Sequence, residues 1–157
     1  MPISLDLIDL RLLEELQLDA DRPNVELARV VGLSPAATLH RVRRLKESGI
    51  VRGIVARLDP AAAGFALQVY VAVTLQRHDD ASHRRFATAV RSMPEVIAAD
   101  WVTGETDAML LVVAREVAEL QRVLVRISTR GGAARVNTLL RLEELKPSSP
   151  LPLEAPV

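Results

Sequence analysis

The 157-residue chain contains no cysteine, which excludes disulfide staples and thiolate metal sites and accords with a reducing compartment. Aromatic residues make up only 3% of it, so any core must be built from Val, Leu, Ile and Ala. Long apolar runs are also missing. The most apolar stretch, Ala61 to Leu75, is interrupted by Gly64 and Gln68 and falls short of the ~20 residues that span a bilayer. The opening, Met1-Pro2-Ile3-Ser4-Leu5-Asp6, lacks a basic segment followed by an apolar one, so no secretory signal is expected. A cytoplasmic protein with no membrane partner is the expectation. His40, His78 and His83 show no metal-ligand spacing, the glycines form no phosphate-cradling loop, and no serine sits in a nucleophile elbow. Neither catalysis nor a metal or other cofactor is therefore expected.

Net charge is zero, but the charges are segregated. Residues 1–26 hold seven acids against Arg11 and Arg22, a net of −5. Residues 27–58 hold Arg29, Arg41, Arg43, Arg44, Lys46, Arg52 and Arg57 against Glu47 alone, a net of +6. A polyanion responds to charge within a Debye length of ~8–10 Å, so this basic segment outweighs the neutral total.

Periodicity assigns the elements. Leu5, Ile8, Leu12 and Leu16, with Leu13 beside them, make one helical face, ended near Asp19-Ala20-Asp21-Arg22-Pro23. Asn24 is suited to cap a second short helix with Leu27, Ala28 and Val31 inward and Gly32 as its stop. Ser34-Pro35 opens a third, whose Leu39, Val42 and Leu45 mark the expected buried side and which closes at Ser48-Gly49. So short a link between two helices is a helix-turn-helix. Residues 50–58 read as a β ribbon or extended connector. After Asp59-Pro60, alternation predicts a strand at Val69–Leu75, and Ser82 is suited to cap a helix carrying Phe86, Val90 and Met93. Two strands follow, Val96–Val102 and Ala108–Ala114. A helix carrying Leu120, Val123, Leu124 and Ile127 then ends at Gly131-Gly132, and a last strand holds Val136, Thr138, Leu140 and Leu142. The order β-α-β-β-α-β is the ferredoxin-like pattern. The expected organisation is a helix-turn-helix domain over 1–60, an α+β domain over 61–146, and a proline-rich tail over 147–157, extended or mobile.

With Leu39, Val42 and Leu45 inward, Ala36, Ala37, His40, Arg41 and Arg44 project outward and Arg43 lies at the edge. That face is slim at its N-terminus and basic at its middle, as a helix entering the major groove of double-stranded DNA requires. Arg41 is the expected base contact with His40 as an adjunct. Ser34, Arg43, Arg44 and Arg52 are expected at phosphates, and Ala36 and Ala37 at thymine methyls. A solvated charged face would look alike in isolation; the capped helix-turn-helix frame is what selects DNA.

Several motifs carry a resemblance: Leu5-Asp6 with Ile8-Asp9 and Leu12-Leu13, Asn24-Val25-Glu26-Leu27-Ala28, Val31-Gly32-Leu33-Ser34-Pro35, and Arg41 through Val51. They continue with Met93-Pro94-Glu95-Val96 and Val102-Thr103-Gly104-Glu105-Thr106-Asp107. In this order the chain resembles the Lrp/AsnC (leucine-responsive, feast/famine) transcriptional regulators over almost its whole length. The resemblance implies an α+β protein with an N-terminal three-helix winged helix-turn-helix and a C-terminal ferredoxin-like βαββαβ domain. It implies self-association into dimers that build tetramers or octamers, and an amino-acid effector bound at subunit interfaces. Residue by residue, it places the effector at Thr103, Gly104, Glu105, Asp107 and Thr138. A carboxylate is then held by amides near Gly104, and an α-ammonium by Asp107. Two other readings stand beside it: a tetrapyrrole decarboxylase-like enzyme of the same fold, and a sensing or assembly module without DNA binding.

Overall fold

A computed structural model describes residues 4–153; the first three residues and the last four of the tail lie outside the described part. The chain divides into two compact units, one formed by residues up to Ala56 together with the segment from Lys146, the other by Arg57–Leu145. Among the described residues no helix is long and apolar enough to cross a membrane.

The first unit holds three helices, α1 (Leu7–Leu18), α2 (Asn24–Val31) and α3 (Pro35–Glu47). Asp6 and Asp9 start α1 as a reciprocal capping box: Asp9 N–H donates to Asp6 Oδ1 at 2.8 Å and Asp6 N–H to Asp9 Oδ2 at 3.2 Å. Asn24, expected to cap α2, is instead its first residue, and its Nδ2 donates to the Pro35 carbonyl at 2.7 Å across the turn. Gly32 ends α2 at φ +68°, the left-handed conformation that glycine adopts without a Cβ penalty. Leu12, Leu13, Leu27, Val42 and Leu45 form the core, with Val51 and Leu153 packed against it. Residues 52–58 have no regular secondary structure and form no ladder with other described residues.

Residues 147–153 of the tail are irregular, as their prolines require, but tied to α1. Leu151 N–H donates to Gln17 Oε1 at 2.6 Å, and Gln17 Nε2 returns a bond to the Leu151 carbonyl at 3.2 Å. A groove of about 270 Å³ runs between Leu13, Leu16, Ala20, residues 50–54 and the tail's Leu151 and Leu153.

The second unit is β1 (Leu67–Leu75), α4 (Asp80–Arg91), β2 (Val96–Trp101), β3 (Ala108–Ala114), α5 (Val117–Gly131) and β4 (Ala133–Leu140). Its antiparallel sheet has the order β2-β3-β1-β4. The last strand therefore ends before Leu142. Asp79, not Ser82, caps α4: its side chain accepts from Ser82 N–H at 2.7 Å, and that amide holds its carboxyl below the usual carboxylate range. Val69, Val71, Val73 and Leu75 are buried against α4 and α5 together with Leu110, Val112, Phe86, Val123 and Ile127. Burial of each such side chain contributes about 1.5–3 kcal/mol, and Phe86 is the one aromatic among these buried residues. The other sheet face carries a row of Leu139, Tyr70 and Leu111, side by side by register.

Candidate nucleic-acid interface and effector loop

Ser34 starts α3 by accepting from Ala37 N–H at 3.2 Å, and Pro35 follows at the first turn, where no amide partner is lost. Two of the three expected inward positions, Val42 and Leu45, are buried; toward the N-terminus Thr38 takes the place of Leu39, which is 40% exposed. Thr38 is tolerated inside because its hydroxyl donates to the Ser34 carbonyl at 3.1 Å, leaving no orphaned polar group. Ala36, Ala37, Leu39, His40, Arg43 and Lys46 are exposed. Arg52 is exposed beyond the helix. His40, Arg43, Lys46 and Arg52 have no ion-pair partner among the described residues.

Arg41 and Arg44 are placed differently from the expectation. Arg41 Nη1 donates to Asp6 Oδ2 at 2.7 Å and to Asp9 Oδ1 at 2.9 Å, and its side chain is only 26% exposed. Arg44 pairs with the other oxygen of Asp9. Asp9 is a carboxylate with 1% exposure, bracketed by two arginines of the next-but-one helix. The Asp9 amide and then the Arg41 guanidinium hold the Asp6 carboxyl below its ordinary range, and Asp6 and Asp9 raise Arg41 in return. Both arginines thus reach carboxylates of α1, Arg44 with 41% of its side chain still exposed, and the α3 cations without a carboxylate partner among the described residues are Arg43 and Lys46. Neither Lys46 nor the acidic partners were legible as part of this surface. The available signal was the Asp-x-x-Asp capping pattern at the chain start, which accounts for two acids but does not reveal which cations they meet.

In the second unit, Val102 N–H donates to the Asp107 carbonyl at 3.0 Å, closing the loop between β2 and β3, and Gly104 has φ +120°. Thr103, Gly104 and Glu105 are exposed. Asp107 turns toward its own strands: its N–H donates to the Val73 carbonyl at 2.9 Å, its Oδ2 accepts from Leu75 N–H at 2.7 Å, and His78 Nε2 lies 3.2 Å away. It builds the loop as well as lining it. Thr138 is exposed on β4, paired with Val71, and β1 separates it from the strand that carries Asp107's end of the loop. A single chain therefore does not bring Thr138 to the loop. Beside the loop, Trp101 meets Phe86 at 5.4 Å and His83 at 4.9 Å between ring centres, both tilted, and with Phe86 it lines a cavity of about 200 Å³ that Arg91 also lines. No cluster of metal-ligating side chains occurs among the described residues.

Comparison with known proteins matches both units. Residues 5–52 fit the family model of winged helix-turn-helix DNA-binding domains, and residues 68–151 that of the Lrp/AsnC ligand binding domain. The chain is 38% identical over 148 residues to the HTH-type transcriptional regulator AldR of Mycolicibacterium smegmatis, covering 94% of this chain and 86% of that one. It is 38% identical to the leucine-responsive regulatory protein of Rhizobium meliloti, covering 92% and 93%. A transcriptional regulator of Neisseria meningitidis, crystallised with L-Met, superposes with a TM-score of 0.87 at 33% identity, over 95% of this chain and 97% of that one.

Proposed function

Because the chain belongs to the Lrp/AsnC family of DNA-binding transcriptional regulators, we propose that it reads DNA through the exposed face of α3 and answers to an amino acid held at the β2–β3 loop. The carrying observation is the outward set on α3: slim at Ala36 and Ala37, then His40, Arg43 and Lys46 without carboxylate partners among the described residues. Slim residues allow close entry into the major groove, and the cations beyond them reach base edges and phosphates. Ser34 and Arg52 flank this face as further phosphate contacts. With few polar readers, sites are chosen in part by DNA deformability.

The effector reading rests on the exposed Thr103-Gly104-Glu105 backbone beside Asp107, and on the L-Met complex of the Neisseria relative. Since Thr138 and the loop are apart in one chain, a site using both draws on more than one subunit. The apolar row Leu139, Tyr70 and Leu111 supplies a surface on which a second copy can pack, giving paired recognition helices for grooves about 34 Å apart. Dimers, and tetramers or octamers built from them, are thus part of the proposal. So is a cytoplasmic location, where DNA is found.

The test is a gel shift across a salt series, with sites selected from random duplexes. Arg43→Gln with Lys46→Gln is expected to weaken binding at least tenfold and to flatten the salt slope by about 0.9 for each phosphate no longer neutralised. Binding that ignores both salt and these substitutions overturns the DNA reading. A titration of amino acids followed by the emission of Trp101, next to the loop, tests the effector.

A further inference from the structure

We propose that Asp6 and Asp9 form an acidic clamp that withholds Arg41 and Arg44 of α3 from the DNA backbone, so that two carboxylates on α1 set how much of the affinity is blind to sequence. The inference rests on α3 being the DNA-contacting helix.

The geometry separates the α3 cations into two classes. Arg43 and Lys46 are exposed and have no ion-pair partner among the described residues. Arg41 is tied to both acids at 2.7 and 2.9 Å, and Arg44 to Asp9. Arg44 Nε is buried without a hydrogen-bond partner, so Asp9 is what holds that guanidinium in place. Along a helix, positions 41 and 44 lie one residue round from 40 and 43, on the flank beside the outward face. That flank is where a recognition helix meets the backbone of the groove it enters. Two unpaired arginines there would bind phosphate anywhere along a duplex, adding affinity but no discrimination.

Desolvation explains why the clamp is closed. A carboxylate with 1% exposure is tolerable only when paired and hydrogen-bonded, and Asp9 meets this with one amide and two guanidinium donors. Asp6 is 52% exposed and serves Arg41 from the solvent side. A phosphate that competes for Arg41 or Arg44 must leave Asp9 buried and short of a partner, which favours the clamped state. Asp6 and Asp9 are therefore positioning residues. They touch no DNA, and they determine which cations can.

The obvious variant is Asp9→Asn, which keeps the shape and removes the charge. Should its fold weaken, which circular dichroism reports, Asp6→Asn carries the test, since asparagine is an equally good N-cap and Asp6 is largely solvent-facing. The full chain is titrated with its selected duplex and with a scrambled duplex of equal length, across a salt series. For the scrambled duplex, Asp6→Asn is expected to raise affinity severalfold and steepen the salt slope by up to about 0.9, and Asp9→Asn by up to about twice that. The preference for the selected duplex falls accordingly. Arg41→Gln is expected to leave the salt slope on the selected duplex unchanged. A slope that flattens by about 0.9 in Arg41→Gln makes Arg41 a phosphate contact and overturns the clamp. So does an unchanged preference in the folded Asn variants. If the unmutated chain binds neither duplex in a salt-dependent way, the DNA reading of α3 falls, and the clamp with it.

Discussion

A methyl group added to Gly131 would lie 2.9 Å from Phe86 Cδ2, on a ring that is itself buried and meets Trp101 at a tilt. Glycine to alanine inside a helix ordinarily gains up to about 1 kcal/mol, whereas overpacking a core costs about 1–3 kcal/mol. The ring is 2% exposed and has little room to give, so the clash prevails. Gly131→Ala is expected to lose about 1 kcal/mol or more in urea unfolding, with altered emission from Trp101. An unchanged or raised midpoint would show that the ring yields freely. The two glycines read from the sequence as one helix stop thus have separate reasons. Gly132 holds φ +76°, which is a local need, while Gly131 answers to a side chain 45 positions away, which periodicity does not report. The clamp was illegible for the same reason. Arg41 and Arg44 look outward on periodicity alone, which does not report the carboxylates that α1 brings beside them, Asp6 and Asp9, from over thirty positions away.

Among the elements, the strongly periodic ones were legible: three N-terminal helices, and the strands and helices of the βαββαβ unit, all appear where alternation or 3.6-residue spacing places them. Capping residues were less so, since Asp79 and Ser82 both suit the role and the backbone geometry decides. The tail was the least legible element. It has no periodicity, yet Leu153 packs on the helical core and Leu151 exchanges two hydrogen bonds with Gln17. Ending the chain after Lys146 is expected to cost the helical unit about 1–3 kcal/mol, from one partly buried leucine and two net hydrogen bonds. Leu153→Ala alone should give the smaller part of that loss. Thermal unfolding followed at a helical wavelength measures both, and an unaltered midpoint would mean that the segment is only laid upon the surface.

For the whole molecule, the proposed subunit contact on the sheet face opposite α4 and α5 is the feature to test. Leu139, at the centre of β4's exposed stretch, lies beside Tyr70, and both are substantially solvent-exposed in one chain. Leu139→Asp puts a charge in that row and is expected to reduce the particle to monomers in light scattering after gel filtration. It should also weaken operator binding at least tenfold, because two linked readers gain about 10²–10⁴ over one. An unchanged particle mass would place the subunit contact elsewhere. The fold class could be read from one chain, but the apolar row of the open sheet face could not, because its residues alternate like those of any half-buried strand. The Gln17–Leu151 pairing also bears on how the protein is made. Its partners are 134 positions apart, and at ~5–20 residues per second the ribosome needs roughly 7–27 s to go from one to the other. For that interval the nascent DNA-reading helices stand exposed along one apolar edge, a window in which a chaperone has something to hold.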